Sequence, residues 1–153
     1  MSNASSPCSI AATLGVIGDR WTMLILREIF RGHHRFSQIQ SELGVAKNLL
    51  SDRLGHLVDA DVLERIPYQE RPRRCEYRLT PKGADLSASL IALMKWGDRW
   101  YAPDEPPTVL VHRGCGTPLA LHVSCPTCQT VVPPGQVQNQ IEAAKGKATQ
   151  CPK

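Results

Sequence analysis

The sequence predicts a mainly α-helical fold with one small β hairpin, followed by a small cysteine-bearing appendage. Three observations carry this expectation. Apolar residues recur at helical spacing through the first two thirds of the chain, in segments punctuated at Gly18, Gly32 and Gly44. Residues 74–79 alternate strictly, with Cys75, Tyr77 and Leu79 on one side and Arg74, Glu76 and Arg78 on the other. Beyond a proline-rich break at 102–107 stand two pairs of metal-ligand type, His112/Cys115 and Cys125/Cys128, each with two residues between its members.

The first helix is expected over 8–16, with Ile10, Leu14 and Ile17 on one stripe and Gly18 interrupting it. A second follows over 19–30, capped by Asp19, and carries Trp21, Leu24, Ile25, Leu26 and Ile29 into a core. His33 and His34 then fall in a loop. Adjacent histidines cannot share a helix face, so solvated side chains near phosphate are favoured over a metal pair. Ser37-Gln38-Ile39-Gln40 has capping-box spacing and opens a helix that ends at Gly44.

The next helix spans 46–60. Leu50, Leu54, Leu57 and Val58 form its core stripe. Asn48, Asp52 and His56 stand opposite, flanked by Lys47, Ser51 and Arg53. Ala46 offers no capping oxygen and Gly55 sits inside the helix; each weakens it by about 1 kcal/mol. Two helices joined at a glycine turn make a helix-turn-helix. The polar face of the second is the kind that reaches base edges in a major groove. Asp52 could accept from a cytosine amino group or set the direction of Arg53 or Lys47; the sequence leaves both open.

Residues 62–66 and 74–79 pair as a hairpin whose tip, 69–73, contains Arg71 and Arg73. From Arg65 to Lys82 there are six Lys/Arg against two acids, Glu70 and Glu76. A basic hairpin beside a helix-turn-helix is a wing suited to grip phosphate, which makes Arg71, Arg73 and Arg74 the expected contacts. Thr80-Pro81 then starts a closing helix with an apolar stripe of Leu86, Leu90, Leu93, Met94, Gly97 and Trp100, bordered by Trp96 and Tyr101. That stripe is broader than one thin domain needs.

In order, Ile17-Gly18-Asp19-Arg20-Trp21-Thr22, Leu50-Ser51-Asp52-Arg53-Leu54, Val62-Leu63-Glu64-Arg65, Glu76-Tyr77-Arg78-Leu79-Thr80 and Leu93-Met94-Lys95-Trp96-Gly97 resemble the HxlR family of winged-helix transcriptional regulators, relatives of the MarR-like group. The likeness covers about two thirds of the chain. It implies a winged helix-turn-helix that binds operator DNA as a homodimer, expected to repress and to answer thiol-reactive or other small-molecule signals. It also implies a dimer built from the N-terminal and closing helices, through Ile10, Leu14, Leu93, Trp96 and Trp100. Cys8 resembles the N-terminal thiol sensor of some members; the alternative is a small, partly buried side chain.

The predicted organisation is a winged helix-turn-helix domain over 8–101, a linker over 102–107, an appendage over 108–132 and a disordered tail over 133–153 that holds Cys151. In the appendage, His112, Cys115, Cys125 and Cys128 make a Cys₃His set fit for a structural zinc, with His122 an alternative to His112 that fits a knuckle less well, so a zinc-ribbon-like module is expected. The competing reading is a reduced or redox-active pair at Cys125 and Cys128. No βαβ pattern surrounds that pair, which argues against a thioredoxin-like enzyme. Cys75 is expected to be buried and inert.

With 153 residues, 42% hydrophobic and a net charge of +4, the chain reads as a globular protein whose charge permits nucleic-acid binding without demanding it. No apolar run approaches the roughly 18 residues of a membrane span, and residues 1–7 lack the pattern of a signal peptide. A cytoplasmic protein is expected. A catalytic triad, a phosphate loop and a pair of carboxylates beside a cleft are all missing from the motifs, so the enzyme classes rank below DNA binding. A winged helix used only for protein interaction ranks between them.

Overall fold

The computed structural model describes residues 8–138. The chain divides into two compact units, Met1–Met94 and Lys95–Lys153, so the stretch 102–107 lies within the second. No single helix among the described residues is long and apolar enough to cross a membrane.

In the first unit, α1 (Ser9–Ile17) ends where the Gly18 N–H bonds the Leu14 carbonyl. The second helix, α2 (Arg20–Phe30), begins at Asp19, whose carboxylate accepts from the backbone N–H groups of Trp21 and Thr22. Ile25, Leu26 and Ile29 are buried as the periodicity predicts. Leu24 is only half-buried and stays outside the core cluster. Thr22 and Glu28 take the additional buried positions, since their polar atoms find partners there.

The helix-turn-helix consists of α3 (Phe36–Leu43) and α4 (Lys47–Asp59). Its start differs from the expected serine cap. Arg35 is the N-cap and Gln38 accepts from its backbone N–H at 3.0 Å, leaving Ser37 inside the first turn. The cause is tertiary: Arg35 bridges in extended conformation to Glu76, so the helix opens one residue after it. Gly44 ends α3 in the left-handed region at φ 62°, as its position predicts. Gln40 then donates to the Val45 carbonyl and fixes the turn into α4. Ala46 supplies no side-chain cap, and Leu50, Leu54 and Leu57 are fully buried.

The wing pairs β1 (Leu63–Glu70) with β2 (Arg73–Leu79) antiparallel, from Leu63 opposite Leu79 to Glu70 opposite Arg73. The first strand runs four residues beyond the expected 62–66. Pro67 does not stop it, because in a two-stranded sheet a missing N–H can face outward. A register shift between Pro67 and Gln69 leaves Tyr68 without a partner in the ladder. Tyr77 is buried and Leu79 half-buried, so the predicted alternation holds; Cys75 is half-buried, not fully buried.

Thr80 caps α5 (Pro81–Ala84), accepting from the Gly83 N–H and donating to the Asp61 carbonyl at 2.7 Å. The single closing helix expected from Thr80-Pro81 is in fact two. Leu86 N–H bonds back to the Gly83 carbonyl, and a turn separates α5 from α6 (Ser87–Tyr101). The core gathers Ile17, Ile25, Leu26, Ile29, Ile39, Leu50, Leu54, Leu57, Val62, Leu63 and Tyr77, with Leu86 and Leu90 packed at its edge.

The second unit contains no buried residue between 102 and 138. It is shaped by two tight turns, joined at the isolated pairs Val111–Pro118 and Ser124–Val131. A short 3-10 turn, Pro134–Gln136, follows. Residues 139–153, with Cys151, lie outside the described residues.

Candidate nucleic-acid interface

The α4 helix buries the leucine stripe, and that forces its other side outward. Lys47, Asn48, Ser51, Asp52 and His56 are exposed there. Lys47, Asn48, Ser51 and Asp52 make no ion pair or side-chain hydrogen bond among the described residues, so their polar atoms remain available to a base edge or a phosphate. Arg53 is a different case. Its Nε lies 3.3 Å from Oδ1 of Asp19, the N-cap of α2, so its charge is paired there while the side chain stays partly exposed. Sequence periodicity could not show this, since the partner lies on another helix.

Asp19 is thereby doubly engaged. Desolvation pushes its pKa up, but hydrogen bonds from the Thr22 side chain and backbone, the Arg53 charge and the Trp21 N–H outweigh that. The carboxyl is held below its ordinary range.

At the wing, Arg71, Arg73 and Arg74 are exposed and make no ion pair among the described residues. The other cations of that stretch are committed. Arg78 bonds Glu76 at 2.7 Å, Arg65 lies over the Tyr77 ring, and Lys82 donates to the Ala60 carbonyl at the end of α4. The free positive charge therefore concentrates at the tip, as a phosphate grip requires.

Arg35, which sequence reasoning passed over, ties the two parts together. It bonds Glu76 at 3.0 Å and lies 4.5 Å over the Tyr68 ring, while the Tyr77 N–H donates to the His34 carbonyl. Hydrogen bonds from Arg78 and then Arg35 hold the Glu76 carboxyl below its usual range. The wing is thus fastened to the residue that caps α3.

His33 is not the solvated loop side chain expected. Its Nδ1 lies 2.9 Å from Oε2 of the fully buried Glu28, which Arg27 and Arg31 also pair. With Glu42 these make the group of three ligand-type side chains whose donor atoms lie within 4.8 Å of one another. Two guanidinium groups already neutralise Glu28, so the geometry is that of an ion-pair network.

Of the expected dimer residues, Ile10, Leu14, Leu93, Trp96 and Trp100 are all exposed, from 55% to 70% of their surface. On α6, Leu93, Trp96 and Trp100 fall at i, i+3 and i+7, on one face. Cys8 is exposed at the head of α1. In the appendage His112 and Cys115 touch, Nδ1 to Sγ 3.2 Å, and Cys125 is a free thiol, whereas Cys128 is disulfide-bonded.

Residues 16–105 match the HxlR-like helix-turn-helix family, the span that holds α2 through α6. The chain belongs to that family. Among the relatives of this HxlR-like protein is the HTH-type transcriptional regulator Mb3122 of Mycobacterium bovis, 43% identical over 121 residues, 78% of this chain and 77% of that one. The crystal structure of PA1607, a transcription-factor candidate, superposes at TM-score 0.79 with 38% identity, covering 91% of this chain and 98% of its own. That share exceeds what residues 1–107 could supply, so the likeness extends into the appendage. The redox regulator HypR in its oxidized form matches at TM-score 0.56 and 26% identity, over 60% of this chain and 96% of that one. The protein is a transcriptional regulator with a helix-turn-helix DNA-binding fold, and its family is one of regulators, not enzymes.

Proposed function

We propose that the protein is a sequence-specific repressor that binds operator DNA as a homodimer in the cytoplasm and responds to thiol-reactive compounds. The observation that carries this reading is the pairing of an uncommitted polar face on α4 with an uncommitted arginine tip on the wing. Lys47, Asn48, Ser51 and Asp52 approach the major groove, while Arg71, Arg73 and Arg74 hold the backbone or the adjoining minor groove. Arg53 is left out of the base-reading set because Asp19 occupies it.

The exposed apolar faces of α1 and α6 support the homodimer, since side chains as large as Trp96 and Trp100 gain by leaving water. Two copies would present two α4 helices to half-sites about one helical turn apart. The exposed thiol of Cys8 and the likeness to the redox regulator HypR support a thiol signal.

The test is fluorescence anisotropy of the full chain on its own upstream DNA, over a salt series and with and without a thiol oxidant. Tight binding that exceeds binding to random DNA, falls steeply with salt and weakens on oxidation supports the reading. Equal, weak binding to both DNAs would replace it with a winged helix used for protein contacts.

A further inference from the structure

The two turns of the appendage are copies of one another at an offset of 13 residues. In the first, the His112 N–H bonds the Thr117 carbonyl, the Gly116 N–H bonds the His112 carbonyl and the Leu119 N–H bonds the Leu110 carbonyl. In the second, the Cys125 N–H bonds the Thr130 carbonyl, the Gln129 N–H bonds the Cys125 carbonyl and the Val132 N–H bonds the Val123 carbonyl. The flanking pairs Val111–Pro118 and Ser124–Val131 correspond as well. So do the positive φ angles of Gly116, 72°, and Gln129, 54°. A non-glycine residue adopts that conformation only at a cost, and the second turn accepts it to keep the same shape.

In each turn the first and fourth residues are of ligand type: His112 and Cys115, Cys125 and Cys128. In the first turn the two ligand-type side chains touch, His112 Nδ1 lying 3.2 Å from Cys115 Sγ, and the matching backbone places Cys125 and Cys128 at the same two positions of the second. No buried residue lies between 102 and 138, and Val109, Val111, Leu121, Val123 and Val131 are all exposed. Two shaped turns with no apolar core between them need another source of cohesion.

We propose that in the reduced protein His112, Cys115, Cys125 and Cys128 together hold one structural zinc ion, each turn supplying two ligands. Three thiolates and one imidazole match the tetrahedral preference of zinc, and four protein ligands leave no open position for a reaction. Binding sends the three thiol protons to solvent and places one imidazole nitrogen on the metal. A sulfur in a disulfide offers no thiolate, so the oxidised Cys128 and the loaded site exclude each other. This inference stands apart from DNA binding and survives or fails without it.

The test uses the full chain, made metal-free, reduced with a phosphine under anaerobic conditions and titrated with Co²⁺ alone. The expected result is the visible absorption of tetrahedral cobalt with a thiolate charge-transfer band, saturating at one equivalent and bleached by one equivalent of Zn²⁺. Cys125→Ser and Cys128→Ser should lose it, Cys8→Ser should keep it, and His112→Cys should keep it with stronger charge transfer. Wild-type protein without tetrahedral absorption overturns the proposal. So does absorption that survives Cys125→Ser.

Discussion

The Arg53 guanidinium reaches across from α4 to Asp19, the residue that caps α2, with Nε 3.3 Å from Oδ1. One carboxylate thus satisfies two free N–H groups at a helix start and anchors the helix expected to enter DNA. Asp19→Ala should cost about 1–2 kcal/mol of stability, the range of a lost N-cap, read from urea unfolding. Arg53→Ala should cost less, because the pair is partly exposed, and should leave sequence preference on DNA unchanged. A change in base preference for Arg53→Ala would return that residue to the reading face.

Asn48 and Arg73 should separate in kind. Arg73→Ala removes a phosphate contact, so it should weaken binding to every sequence and reduce the salt slope by about 1. Asn48→Ala should alter preference at one position, by about 1–3 kcal/mol between bases. Anisotropy on an operator and on a scrambled duplex, each over a salt series, distinguishes the two. Equal effects on both duplexes from both variants would count against the assignment.

The core of this arrangement was legible in the sequence because it depends on local periodicity. Leu50, Leu54 and Leu57 lie where their spacing puts them, and the inward side of β2 follows from alternation at Tyr77 and Leu79. The departures all have tertiary causes. Ser37 has the better capping chemistry, yet Arg35 is the cap because Glu76, 41 positions away, holds it. Spacing alone places His33 toward solvent and Arg53 on the outward side of α4, and it cannot show that each also has a carboxylate partner on or before α2. Of the likeness between the two appendage turns, only the spacing of the ligand-type pairs His112/Cys115 and Cys125/Cys128 is visible in the sequence; the full correspondence lies in the backbone hydrogen bonds.

Gly83 is a position that only glycine fills without disturbance. A Cβ there would run into the carbonyl oxygen of Val62, which is backbone and cannot swing aside, and would press on the Leu79 side chain. Gly83→Ala should therefore destabilise the domain by about 1–3 kcal/mol, as overpacking does. Gly55→Ala, where an added Cβ meets nothing, should instead stabilise α4 by up to about 1 kcal/mol. Thermal unfolding of the two variants side by side checks the contrast. Destabilisation by both would show that α4 needs its glycine for packing.

The exposed stripe on α6 predicts assembly. Trp96→Glu and Trp100→Glu introduce a charge where a partner surface would exclude water, so each should shift the protein toward monomer in sedimentation. Operator affinity should fall with it, since one recognition helix loses the second. A monomeric wild type, or variants that stay dimeric, would move the interface elsewhere.

Glu28 is fully buried, while Arg27 and Arg31, its cationic partners, keep about half of their side-chain surface in water. The two sides of this network therefore differ in what their loss exposes. Removing a guanidinium leaves a carboxylate buried with less compensation, whereas removing the carboxylate leaves hydrated cations and a small void. Arg27→Ala should thus destabilise more than an exposed arginine ordinarily does, and Glu28→Met should be tolerated better than Glu28→Ala. The pH dependence has a definite sign. Desolvation raises the Glu28 pKa, but hydrogen bonds from His33 and Arg27 and the charges of Arg27 and Arg31 lower it further, for a net depression. A carboxyl depressed in the fold contributes stability above its unfolded pKa, about 4.5, and loses it as pH falls through the folded value. Wild-type unfolding free energy should accordingly drop through the acid range, and Glu28→Met should flatten that drop. An acid limb of unchanged slope in Glu28→Met would assign acid lability to Asp19 and Glu76 instead.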